Sequence, residues 1–98
     1  MVRHIVMWNL AEEAEGKTKA ENAAILKERL EGLVGKIDGL LTAQVTINFN
    51  PAGMDLCLYS EFTDKAALDG YQDHPLHVAV KEYVHKVVVA RVVHDAQM

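Results

Sequence analysis

Nine residues at the start of the chain, Val2-Arg3-His4-Ile5-Val6-Met7-Trp8-Asn9-Leu10, alternate with a period of two. Val2, His4, Val6, Trp8 and Leu10 fall on one face; Arg3, Ile5, Met7 and Asn9 fall on the other. Large apolar groups stand on both faces, so both faces need cover. The segment is expected as a central strand. A chain of 98 residues holds one core, and residues 1–98 are read as one domain. At this length folding removes only roughly 60–70% of the surface that the unfolded chain exposes, so a second copy would add useful cover.

The remaining punctuation is regular. Ala11 to Lys17 reads as an acidic loop. Thr18 opens a helix, with Glu21 at capping-box spacing. Ala23, Leu26, Leu30, Leu33 and Ile37 form one helical stripe, which Gly35 and Gly39 are expected to end. Ala43, Val45, Ile47 and Phe49 alternate with polar residues, the pattern of a strand near an edge. A turn at Asn50-Pro51-Ala52-Gly53 leads into a strand from Asp55 to Phe62. Thr63 or Asp64 caps a second helix, which is broken at His74-Pro75. Pro75 suits the first turn of a further helix running to about Lys86, because its missing N–H costs nothing there. Val87 to Asp95 is the last strand.

The order is βαββαβ. It predicts an α+β fold, a four-stranded antiparallel sheet with helices on one face. The other face would leave Ile5, Met7, Cys57 and Tyr59 bare, a liability on a monomer. Two such sheets packed face to face would cover it. The expected partner is therefore a second copy, in a homodimer with a barrel-like core.

Composition removes several classes of function. The formal net charge of −4 and the scattered basic residues argue against nucleic acid and anionic membranes as partners. Cys57 is the only cysteine, which rules out an intrachain disulfide and a thiolate zinc site. The N-terminal segment reads as neither a signal peptide nor a membrane span, and a cytoplasmic location is expected. No phosphate-cradling glycine pattern occurs, and no cofactor is implied.

Chemistry concentrates in Tyr71-Gln72-Asp73-His74-Pro75-Leu76-His77, with His4 from the first strand. Phenol and imidazole can exchange protons with a ligand near neutral pH. Tyr71 and His77 are the candidate catalytic pair, His77 as base and Tyr71 as donor. His4, Val6, Trp8, Leu58 and His74 are the candidate pocket residues, and the expectation is that His4, Tyr71 and His77 meet. His74, before Pro75, is expected to bond the backbone and fix the helix break. The spacing of His74 and His77 suits a metal, but only Asp73 stands near as a carboxylate, so no metal is expected.

Arg3-His4-Ile5-Val6-Met7-Trp8, Leu58-Tyr59-Ser60-Glu61-Phe62, Leu68-Asp69-Gly70-Tyr71-Gln72-Asp73-His74-Pro75-Leu76-His77 and Arg91-Val92-Val93-His94-Asp95 together resemble the stress-responsive dimeric α/β-barrel domain family. The resemblance runs over essentially the whole chain. It implies a ferredoxin-like protomer and a dimer through the sheets. Some plant members are stress-induced and very stable, and many members have no assigned activity. One branch holds olivetolic acid cyclase, which closes a linear polyketide by aldol condensation. The resemblance implies that its catalytic Tyr and His match Tyr71 and His77, and that His4 and His74 match pocket histidines. Leu56 stands where a further pocket histidine of that enzyme falls, and Ala23 and Ala24 are small where its alkyl pocket is shaped, so its substrate is not implied. Three readings follow: a small-molecule-binding dimer, a cofactor-independent cyclase-like or lyase-type enzyme, and a structural stress-stability protein.

Overall fold

In the computed structural model, which describes residues 1–98, β1 (Val2–Leu10) lies inside a four-stranded antiparallel sheet. It is flanked by β5 (Leu56–Phe62) and β6 (Val88–Gln97), and β4 (Leu40–Ile47) forms the edge beyond β5. Three helices, α1 (Lys19–Glu31), α2 (Lys65–Asp73) and α3 (Pro75–Val87), complete a ferredoxin-like βαββαβ protomer. Val2, Val6, Trp8 and Leu10 are buried beneath the helices with Leu56, Leu58 and Phe62. The intervening residues face away from the helices. Met7 and Val92, paired across β1 and β6, are 40% and 52% exposed there. No helix is long and apolar enough to cross a membrane.

The start of α1 follows the expected capping box. The Glu21 N–H donates to Thr18 Oγ1 at 3.2 Å, and the Thr18 N–H donates to Glu21 Oε1 at 3.1 Å. Its end comes earlier than the apolar stripe predicts. Gly32 caps the helix, and Leu33 and Ile37 stay in the core from the turns that follow. Glycine is demanded further on, at Gly39. Its φ is +84°, and a Cβ there would stand 2.4 Å from that of Ala67. The expected loop at Ala11–Lys17 holds a small hairpin instead. Its strands are β2 (Glu13–Ala14) and β3 (Lys17–Thr18), turned by left-handed Glu15 and Gly16. β4 also starts before Ala43 and stops at Ile47, which leaves Phe49 outside the ladder and fully exposed.

The β4 edge is guarded. The Val45 N–H donates to Glu31 Oε2 at 2.8 Å, and Lys27 Nζ donates to the Val45 carbonyl at 2.9 Å. Lys27 and Glu31 also pair with each other at 2.7 Å. Side chains of α1 thus occupy the outward backbone groups that another strand would use.

Candidate functional site

The break between α2 and α3 builds the site. Asp64 caps α2 through the Ala67 N–H at 2.8 Å. His74 ends α2 in an extended conformation and caps α3, its Nδ1 accepting from the Leu76 N–H at 3.1 Å, with Pro75 in the first turn. On a continuous helix, residues six apart would sit ~9 Å apart along the axis and point in different directions. The break instead brings Tyr71 and His77 face to face. Their rings stack with centroids 3.7 Å apart and planes at 19°. Lys81 Nζ donates to the Gln72 carbonyl at 2.7 Å and ties the two helices together.

His77 Nδ1 lies 2.9 Å from the Tyr71 carbonyl oxygen. A carbonyl only accepts, so Nδ1 carries the proton, and Nε2 of the neutral ring presents its lone pair. His77 is 7% exposed, and burial pushes its pKa down to about 4. The bond to the Tyr71 carbonyl works against that shift, and the neighbouring Lys81, His4 and Arg91 reinforce it. Tyr71 is 2% exposed, and burial pushes its phenol well above the ordinary value. At neutral pH the stack is a phenol that donates beside an imidazole that accepts. No group of the protomer hydrogen-bonds the Tyr71 hydroxyl or His77 Nε2. Neither atom is sealed from solvent, unlike Arg3 Nε and Trp8 Nε1.

His4 comes up from the sheet floor. Its ring stands edge-on to Tyr71 and Phe62, with centroid distances of 6.4 and 6.2 Å. The register sets His4 opposite Asp95 on β6, and His4 Nδ1 donates to the Asp95 carboxylate. The His4 side chain is 4% exposed, whereas that of Asp95 is 45% exposed and meets solvent. Ser60, buried opposite His4 on β5, donates to the His4 carbonyl at 2.9 Å.

His4, Tyr71 and His77 therefore meet, although they come from distant parts of the chain. His74 fixes the backbone beneath them. Val6, Trp8 and Leu58 are core residues, and none of the three lines any of the five cavities. Trp8, Leu58 and Leu68 fill the space between sheet and helices. His4, Tyr71 and His77 line none of the five either, and the cavity that Asp95 lines is lateral. It measures about 320 Å³ and runs along the end of β6 past Leu68, Asp69 and Asp95. Asp95 was not singled out by residue type or spacing. The signal that could have found it is a carboxylate on the same face as Val93, opposite His4 once the first and last strands pair. No group of three metal-binding side chains lies together.

Comparison with known proteins bears on the fold and the family. Residues 2–98 match the family described as the stress responsive A/B barrel domain. Among solved structures, a dimeric protein of unknown function with a ferredoxin-like fold from Bacteroides fragilis is 30% identical. The match covers 99% of this chain and 95% of that one, with a TM-score of 0.87. A dimeric ferredoxin-like protein of unknown function from Jannaschia is 26% identical, with 99% and 98% covered and a TM-score of 0.76. The Arabidopsis thaliana protein At3g17210 is 19% identical, with 100% and 95% covered and a TM-score of 0.85, a likeness of fold. No curated protein matches the chain. By the extent of the family match, the chain belongs to the stress responsive A/B barrel domain family.

Proposed function

We propose that the protein is a homodimer in which each protomer binds a small molecule carrying a carbonyl or phenolic oxygen at Tyr71, His77 and His4. The observation that carries this reading is the unpaired state of the stacked phenol and imidazole. Both atoms meet solvent, so a ligand oxygen would take the place of water between a donor and an acceptor. Here a donor and an acceptor stand side by side and await an oxygen ligand. The resemblance to olivetolic acid cyclase supports the same pair as the place where such a ligand is held.

Self-association rests on the outer sheet face. Ile5, Met7, Cys57, Tyr59 and Val92 lie there without cover, and the similar proteins from Bacteroides fragilis and Jannaschia are described as dimeric. The filled interior favours the structural stress-stability reading as the rival.

Binding of acetophenone and resorcinol, followed by ligand-observed NMR, separates the two. Saturable binding is expected, weakened about three- to tenfold by Tyr71→Phe, with thermal stability held within about 0.5 kcal/mol. Absence of binding by both probes, with Tyr71→Phe costing more than about 1 kcal/mol of stability, would make the pair scaffold.

A further inference from the structure

We infer that the loop between β4 and β5, residues 48–55, is a docking arm that grips a second copy of the chain, with Phe49 as its anchor. The inference rests on the homodimer proposed above and adds the arm to its interface. Phe49 is fully exposed just past the end of β4, and Ile47 beside it is 66% exposed. A lone apolar side chain on a surface is ordinary, but these two are not alone. With Met54 of the same loop they wall a groove of about 370 Å³ that also holds Met7, Cys57 and Thr46. Register places Thr46, Cys57, Met7 and Val92 in one row across β4, β5, β1 and β6. The groove therefore continues the outer sheet face on which self-association rests.

The loop is held in shape before any partner arrives. The Asn48 N–H donates to the Asp55 carbonyl at 2.9 Å, and Asn48 Nδ2 donates to the Met54 carbonyl at 2.8 Å. Asn48 Oδ1 accepts from the Asn50 N–H at 2.8 Å, and Asn50 Oδ1 accepts from the Ala52 N–H at 2.9 Å. Gly53 packs so closely on Asn48 that a Cβ there would stand 2.4 Å from Nδ2. A loop ordered in this way gives up little freedom on docking.

Charge and position select a second copy as the occupant. No charged side chain lines the groove, so it offers no electrostatic hold to a phosphate or to an acidic or basic peptide. The polar groups of the outer face gather towards its other end. There Arg3 and Glu61 are register partners, and the Tyr59 hydroxyl donates to Glu61 at 2.7 Å. The apolar half of the face thus lies beside the arm. A copy seated face to face covers that half and meets the arm at its border. In a two-fold dimer the contact occurs twice, each Phe49 lying against the outer face of the partner. Large aromatic side chains are the anchors that carry most of an interface's affinity.

The test uses the whole chain with Phe49→Ser, a change at a side chain that is fully exposed in the protomer. Subunit exchange between unlabelled and isotope-labelled protein, followed by native mass spectrometry, should run at least about tenfold faster than in the wild type. Cys57, the one thiol of the chain, lies in the groove and gives a second reading. At a concentration where both proteins are dimeric, dithionitrobenzoate should reach it at least about tenfold faster in Phe49→Ser. Phe49→Trp should keep the slow subunit exchange and add the emission of a buried indole. If either rate is unchanged in Phe49→Ser, the inference is overturned and the dimer stands. An exposed-indole emission from the Phe49→Trp dimer overturns it in the same way. A folded wild-type monomer at micromolar concentration removes the dimer and the inference together. Circular dichroism identifies a variant that fails to fold; should Phe49→Ser be one, the indole emission of Phe49→Trp decides alone.

Discussion

His77 and Tyr71 carry opposite consequences for stability. The Tyr71 hydroxyl makes no bond within the protomer, so its removal in Tyr71→Phe loses no internal contact. His77 imposes a pH dependence. Its folded pKa of about 4 lies below the ordinary 6.5, so between these values the unfolded chain binds the extra proton. Stability contributed by the neutral ring is complete above about pH 6.5 and is lost as pH falls towards about 4. The expected loss is on the order of 2–3 kcal/mol. Urea unfolding across that range should show it, and His77→Asn should flatten the curve. A wild-type stability that stays level between those limits would contradict the burial assigned to this ring.

Two local devices in the helices can be tested separately. His74 takes the capping position usually given to Ser, Thr, Asp or Asn, and it shapes the joint on which the Tyr71–His77 stack depends. His74→Ala should cost about 1 kcal/mol, and His74→Asn should restore most of it, as read by thermal unfolding. At the β4 edge, Lys27 and Glu31 of α1 close the backbone at Val45. The Glu31 carboxyl is held below its ordinary pKa by Lys27 and the Val45 N–H, so this closure weakens in acid. Removing both side chains, as Lys27→Ala with Glu31→Ala, should lower stability by about 1 kcal/mol and let larger oligomers grow in light scattering. A variant that keeps the wild-type size distribution would mean that the edge needs no guard.

The outer sheet face decides the behaviour of the whole molecule. A compact interface of lasting stability buries at least about 1,200 Å², and the bare strip around Ile5, Met7, Cys57, Tyr59 and Val92 is its apolar centre. The wild type should sediment as a dimer at micromolar concentration. Met7→Asp places an unpaired charge at the middle of that strip and should yield monomer or insoluble chain. A folded wild-type monomer at that concentration would remove the dimer from the proposal.

Much of the architecture was legible in local pattern. Alternation in Val2–Leu10 and in the Leu56–Phe62 strand reports which side chains share a face, because the pleat repeats every two residues whatever lies around it. The Thr18–Glu21 box and Pro75 mark helix starts for the same reason: the groups that satisfy an opening turn lie within a few residues of it. Local pattern failed where distant parts decide. Leu33 and Ile37 keep helical spacing, yet they reach the core from turns, since Gly32 ends α1 and the core needs their volume rather than their helix. The expected pocket residues Val6, Trp8 and Leu58 became packing, because apolar side chains facing one another across a small protomer fill the space between them. Tyr71 and His77 could be named as a pair from their sequence, but their stacking depends on how two helices bend about His74. The His4–Asp95 bond joins residues 91 positions apart and exists only because the first and last strands pair in one register. Periodicity thus determined which faces are apolar, and tertiary pairing alone decided which polar groups meet upon them, since a side chain's partner across a sheet is set by strand order and register rather than by its neighbours in the chain.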